Sequence, residues 1–211
     1  MLLWLSAIYV GGCAFRSLLP MIDVPRYCLH DTPVSRIVVG RSVATVAELA
    51  FVAQWALLMH EAGASRAALA VFLIIVVAEA LSWLAVLTRN DLFHAAENAL
   101  STVAAALAAL FLASRWTYTG ELGRTVIVIA IACAALYVAF MSLYVVPMYV
   151  RRWRLGGVYL SLADGLRQVL GRCTVEHDWA QWRQDAAWLT PYFTFAVWSS
   201  IALAYVPSLK N

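Results

Sequence analysis

Asp91, His94, Glu97, Asn98, Ser101 and Thr102 recur at three- and four-residue intervals within the stretch WLAVLTRNDLFHAAENALST, residues Trp83 to Thr102. At about 100° per residue they share one arc of roughly 140° on a helix. His94 lies three residues after Asp91 and three before Glu97, so an imidazole and two carboxylates face one way. Nitrogen with carboxylate oxygen is a donor set for zinc, iron or manganese. The same groups can also carry protons as general acid and base. Glu79 and Glu48 offer two more carboxylates from neighbouring apolar runs. The motif itself is not specific: the chain has no HxxxH, HExxH or ExxH spacing and no GxSxG nucleophile elbow.

The helix that bears these residues has Leu92, Phe93, Leu100, Val103, Leu107, Leu110 and Phe111 on its other side. In water such a face turns toward a core. Here 64% of the 211 residues are hydrophobic and only 13% are charged, and the mean hydropathy is +0.78. The charged share is about half that of a soluble domain. The sense is therefore inverted, with bulky apolar residues toward lipid and the polar arc toward the protein interior. A disordered chain is excluded on this composition, and a water-soluble globule is not expected.

The apolar runs predict an all-α polytopic membrane protein, one transmembrane domain over residues 1–211. Six spans are expected, at 2–20, 41–60, 66–88, 92–114, 125–149 and 187–206. Each is near the roughly 20 residues that cross the hydrocarbon, and the runs are too long for barrel strands. The first run lacks a preceding positive charge and reads as a retained span rather than a signal peptide. Between the fifth and sixth spans, Tyr159, Leu160, Leu162, Ala163, Leu166, Val169 and Leu170 form an apolar stripe opposite Asp164, Arg167 and Gln168. That pattern predicts an amphipathic helix in the interface. Trp179, Trp182 and Trp188 follow at expected headgroup depth.

Arginines set the expected orientation. Arg16, Arg26, Arg36, Arg41, Arg89, Arg151, Arg152, Arg154, Arg167, Arg172 and Arg183 flank the 1–2, 3–4 and 5–6 connections. Arg66, Arg115, Arg124 and Lys210 flank the other side. The positive-inside rule then makes the first side cytoplasmic, with both termini outside, in an inner or plasma membrane. Membrane lipids are the expected partners, and a second copy or another subunit could complete the polar face. Nothing points to nucleic acid beyond the Arg151–Arg154 patch. Cys13, Cys28, Cys133 and Cys173 show no CxxC spacing, so neither a disulfide framework nor a zinc ribbon is expected. With Lys210 as the single lysine, a retinal-type Schiff base inside the helices is excluded.

With this topology, Glu48 lies about 10 Å beyond Arg41, Glu79 about 15 Å before Arg89, and Glu97 about 10 Å beyond the Arg89-Asn90-Asp91 turn. Three glutamates from consecutive spans thus reach similar depth. A charge in a span costs a few kcal/mol even on the lenient insertion scale, so the groups must be paired, protonated, metal-bound or wet. Tyr137, Met141, Tyr144 and Met148 line up at helical spacing on the fifth run and extend the inward face.

The reading favoured is a membrane-embedded enzyme acting on a lipid or other apolar substrate. In it Glu79, Glu97 and His94 are the acid–base groups or metal ligands, and Glu48 is a further ligand. Asn98, Ser82 and Trp83 orient the substrate, and Arg89 and Asn90 meet an anionic group at the cleft mouth. A proton- or cation-coupled transporter is the alternative, although no helix break is evident at mid-membrane. A structural subunit of a membrane complex is the third.

Overall fold

The computed structural model describes residues 1–22, 26–118 and 120–205. It is about 81% helical. The helices are α1 Leu2–Leu18, α2 Ile37–Glu61, α3 Ser65–Thr88, α4 Asp91–Ala113, α5 Glu121–Phe140, α6 Val146–Leu155, α7 Leu162–Leu170 and α8 Trp179–Ala204. Four stretches are long and apolar enough to cross a bilayer: α2, α3, α4, and the continuous run Gly123–Leu155. These are the helices of a membrane protein. Of the other two spans expected, α1 is a shorter apolar helix of 17 residues. Helix α8 begins at Trp179, eight residues before the expected start at Ala187, and contains Pro191. Its early start follows from a cap: the Asp178 carboxylate accepts from the Ala180 N–H at 2.9 Å, which satisfies an orphan donor of the first turn.

Two corrections concern α5 and α6. The helix does not stop at Arg151 but continues through the arginines to Leu155. Between α5 and α6, residues Met141–Val145 form a π turn. That turn removes the expected Tyr137–Met141–Tyr144–Met148 stripe: Met141 and Val145 are buried, whereas Tyr144 is 55% exposed. A π turn accommodates one extra residue, so every side chain after it is rotated relative to α-helical spacing. The run on which a helix break was not expected is thus widened at Met141–Val145.

The chain divides into two compact units. One comprises Met1–Phe51, Val86–Thr88 and Leu160–Tyr205; the other comprises Val52–Ala85 and Arg89–Tyr159.

In the first unit, α1 packs on α8. Tyr9, Cys13 and Ala47 form a buried cluster with Phe51, Phe193, Ala196 and Val197 against it. Tyr9 stacks on Phe51 at 4.6 Å, and the Ser200 hydroxyl donates to Ser6 Oγ at 3.2 Å. A Cβ at Gly12 would stand 2.6 Å from the Ala47 Cβ. Small residues thus allow close helix approach where lipid offers no hydrophobic drive. Gly12→Leu is expected to cost about 1–3 kcal/mol, the usual range for overpacking. A thermal melt in detergent checks this, and an unchanged midpoint would count against the close contact.

The same unit carries a cap that the sequence did not suggest. Strands β1 Met21–Ile22, β2 Tyr27–Cys28 and β3 Thr174–Val175 form a three-stranded sheet in that order. β1 and β2 are antiparallel, and β2 and β3 are parallel, with Tyr27 opposite Thr174 and Cys28 opposite Val175. Cys28 and Cys173 are joined by a disulfide, with Cα atoms 5.9 Å apart. The expectation of no disulfide is therefore overturned: the partners are 145 residues apart, and their approach is made by the fold. Cys28, Met21, Ile37, Val86 and Val169 form the buried core of this cap. Arg26, also buried, donates to the Gln168 amide oxygen and to the Val86 carbonyl. The Leu160 N–H donates to the Thr88 carbonyl at 2.9 Å. The 1–2 connection, the end of α3 and the 5–6 connection thus pack together in this unit.

Candidate functional site

The second unit holds the polar arc. Asn90 Oδ1 accepts from the Leu92 N–H at 3.0 Å and caps α4. Arg89 adopts a left-handed conformation, φ 57°, and ends α3. It is the one non-glycine residue with positive φ among the described residues. The tight Arg89–Asn90 turn makes α3 and α4 consecutive helices with almost no loop. This is how Glu79 on α3 and Glu97 on α4 come together: their carboxylate oxygens approach within 4.8 Å. Glu79 is 5% exposed, and Glu97 is largely covered.

His94 is buried on the same face, and its Nδ1 lies 3.0 Å from Glu97 Oε2. An imidazole held by a carboxylate has a defined tautomer and ring orientation. Asn98 donates through Nδ2 to the His94 carbonyl at 2.8 Å, and the Thr102 hydroxyl donates to the Asn98 carbonyl at 2.7 Å. These bonds keep part of the polar arc satisfied within its own helix. Ser82, one turn beyond Glu79 on α3, is fully buried. Its hydroxyl finds no hydrogen-bond partner among the described residues. The inverted amphipathic sense is also visible: Leu92, Val103, Leu110 and Phe111 are exposed on α4 while His94 is buried.

The sequence reading missed Tyr149. Helix α4 packs on α5, the π turn and α6, and Tyr149 of α6 stacks on His94, with ring centroids 4.9 Å apart. Arg152 sits over the Tyr149 ring at 5.7 Å. An α-helical count from α5 would have rotated Tyr149 elsewhere, so only the π turn could have signalled this contact. Deleting Ser142 should remove the residue that the π turn absorbs and leave a continuous α-helix that still presents Tyr149 to His94. The expected result is a retained ring-current shift of the His94 protons in the NMR spectrum. Loss of that shift would show that the turn does not absorb the extra residue.

The other sequence candidates are placed as follows. Trp83 is half-buried on α3 and Asp91 half-buried at the start of α4. Glu48 is half-buried on the part of α2 that belongs to the first unit. Arg89 Nε is buried and has no acceptor among the described residues. Apart from these candidates, His177 is exposed in the first unit. Its neighbours Glu176 and Asp178 serve the start of α8, with the Asp178 N–H donating to Glu176 Oε1 at 2.8 Å and Trp182 Nε1 donating to the Glu176 carbonyl.

No family model, curated protein or solved structure matches this chain.

Proposed function

We propose that the chain is a membrane-embedded enzyme whose site binds a divalent metal and acts on a lipid or other apolar substrate. The observation that carries this reading is the approach of Glu79 and Glu97 to within 4.8 Å in an apolar helical unit, with His94 against Glu97. Two carboxylates at that distance in a low-dielectric setting repel unless a proton or a cation sits between them. Zinc, iron and manganese suit an oxygen-rich set with one imidazole nearby. The depth count along α2 adds Glu48 as a proposed further oxygen ligand. Glu79 and Glu97 are the proposed ligands or acid–base groups, with His94 as ligand or as the group that orients Glu97.

Ser82, Asn98 and Trp83 are the proposed substrate-orienting residues, Ser82 because its buried hydroxyl has bonding capacity to spare. Arg89 and Asn90 are proposed at the mouth, where a non-glycine residue is kept in a left-handed conformation that glycine would hold at lower cost. The proposed membrane arrangement counts α1 and α8 as spans. In it α7 lies in the interface, its exposed Leu162, Leu166 and Leu170 turned to lipid.

The test is elemental analysis of the protein purified in mild detergent. Near-stoichiometric zinc, iron or manganese supports the reading. A metal-free protein that still holds its fold would sink it. A coupled transporter is the second reading, favoured by the π turn that interrupts the long run Gly123–Leu155; proton or cation flux in liposomes would establish it.

A further inference from the structure

The disulfide says which compartment the cap faces. We infer that the cap built from β1, β2, β3 and α7 lies on the oxidising side of the membrane, with the far end of α8 toward the cytoplasm. The Cys28–Cys173 bond is part of the fold rather than an accident of the surface. Cys28 is fully buried in the cap core, and its strand β2 pairs with β3, which begins at the residue after Cys173. Cytosolic thiols are kept reduced, and lasting disulfides belong to the periplasm, the exterior or a secretory lumen.

The bond forms by exchange with a disulfide-bearing thiol oxidase of that compartment. Cys28 and Cys173 each give up a proton and an electron, one S–S bond forms between them, and the oxidase disulfide is reduced to two thiols. Helix α8, of 26 residues, is long enough to lead from the cap across the bilayer.

The arginine count assigns the cap side to the cytoplasm instead. Several of those arginines, however, have a place in the cap itself. Arg26 holds Gln168 and the Val86 carbonyl, Arg167 pairs with Asp164 at 3.0 Å, and Arg172 lies 3.5 Å from Asp31. Their presence is accounted for by the cap fold, whichever side it occupies. The inference stands apart from the carboxylate site.

Two measurements on the full chain in a bacterial inner membrane test it. Thiols are counted by maleimide–polyethylene glycol labelling of denatured protein, with and without prior reduction. Two reactive thiols before reduction, Cys13 and Cys133, and four after it are expected. Three are expected before reduction in Cys28→Ser. Separately, carboxyl-terminal fusions are made to a fluorescent protein that matures in the cytoplasm and to a phosphatase active only in the periplasm. Fluorescence and a silent phosphatase are expected. Four reactive thiols without reduction, or an active phosphatase, would each overturn the inference, the first by removing the bond and the second by placing the cap in the cytoplasm.

Discussion

If the proposed metal site holds, Glu97→Gln and Glu79→Gln should each purify as folded protein without the metal that the wild type then carries. Loss of a group that merely orients a ligand costs about 10- to 100-fold in metal affinity, and loss of a ligand costs at least that. His94→Ala, which removes the imidazole 3.0 Å from Glu97 Oε2, should fall within that range.

Stability gives an independent readout with a sign that separates the readings. If both carboxylates are ionised and no cation lies between them, their repulsion at 4.8 Å is about 3–4 kcal/mol at an effective dielectric of about 20. Removing one charge would then stabilise the protein. With metal bound, the same substitution removes a favourable interaction. Added metal at about 100 times its dissociation constant should raise wild-type stability by about 2.7 kcal/mol, and should leave Glu97→Gln unmoved. Metal analysis beside thermal melts with and without added metal measures both. A Glu97→Gln protein that melts higher than wild type and binds as much metal would end the metalloenzyme reading.

Gly165→Val should be the most damaging substitution in the cap. A Cβ at Gly165 overlaps the Leu87 carbonyl oxygen and carbon and lies 3.1 Å from the Leu87 Cα. These are backbone atoms of α3, so no rotamer change relieves the clash, and α7 must lift away. Val169, one turn along α7, would leave the cluster it shares with Cys28, Met21, Ile37 and Val86. The cost should reach or exceed the upper end of overpacking, about 3 kcal/mol.

The checks are a thermal melt and limited trypsin digestion. Cleavage after the exposed Arg167 and Arg172 should be several times faster than in wild type, an order-of-magnitude expectation for local opening. Gly11→Ala is the control: a Cβ there meets nothing within 4 Å, and alanine in a helix is favoured over glycine by about 0.5–1 kcal/mol. A Gly165→Val protein with wild-type melting and cleavage would show that α7 does not dock through this glycine.

What the sequence alone determined is what local chain physics controls. Long apolar runs must close their backbone hydrogen bonds within helices, so α3 and α4 were legible to within one residue at each end, while α2 begins four residues before the expected start. Periodicity on α4 placed Asp91, His94, Glu97 and Asn98 on one face, and the surrounding apolarity turned that face inward. The short Arg89-Asn90-Asp91 break implied that α3 and α4 are neighbours, and with that the meeting of Glu79 and Glu97.

The rest was decided by tertiary structure. Two-residue strands are too short to carry a period, so the sheet left no trace in the pattern. Cys28 and Cys173 are 145 residues apart, and nothing local announces their pairing. The π turn at Met141–Val145 shifts register without changing composition. Its consequence, Tyr149 on His94, therefore depends on how α4 and α6 pack. Asp178 starts α8 through a cap bond that no hydropathy reading weighs. The Asp178 cap is a local bond, two residues long; the sheet, the disulfide and the Tyr149–His94 contact instead join distant segments, and such contacts exist only once the helices have assembled.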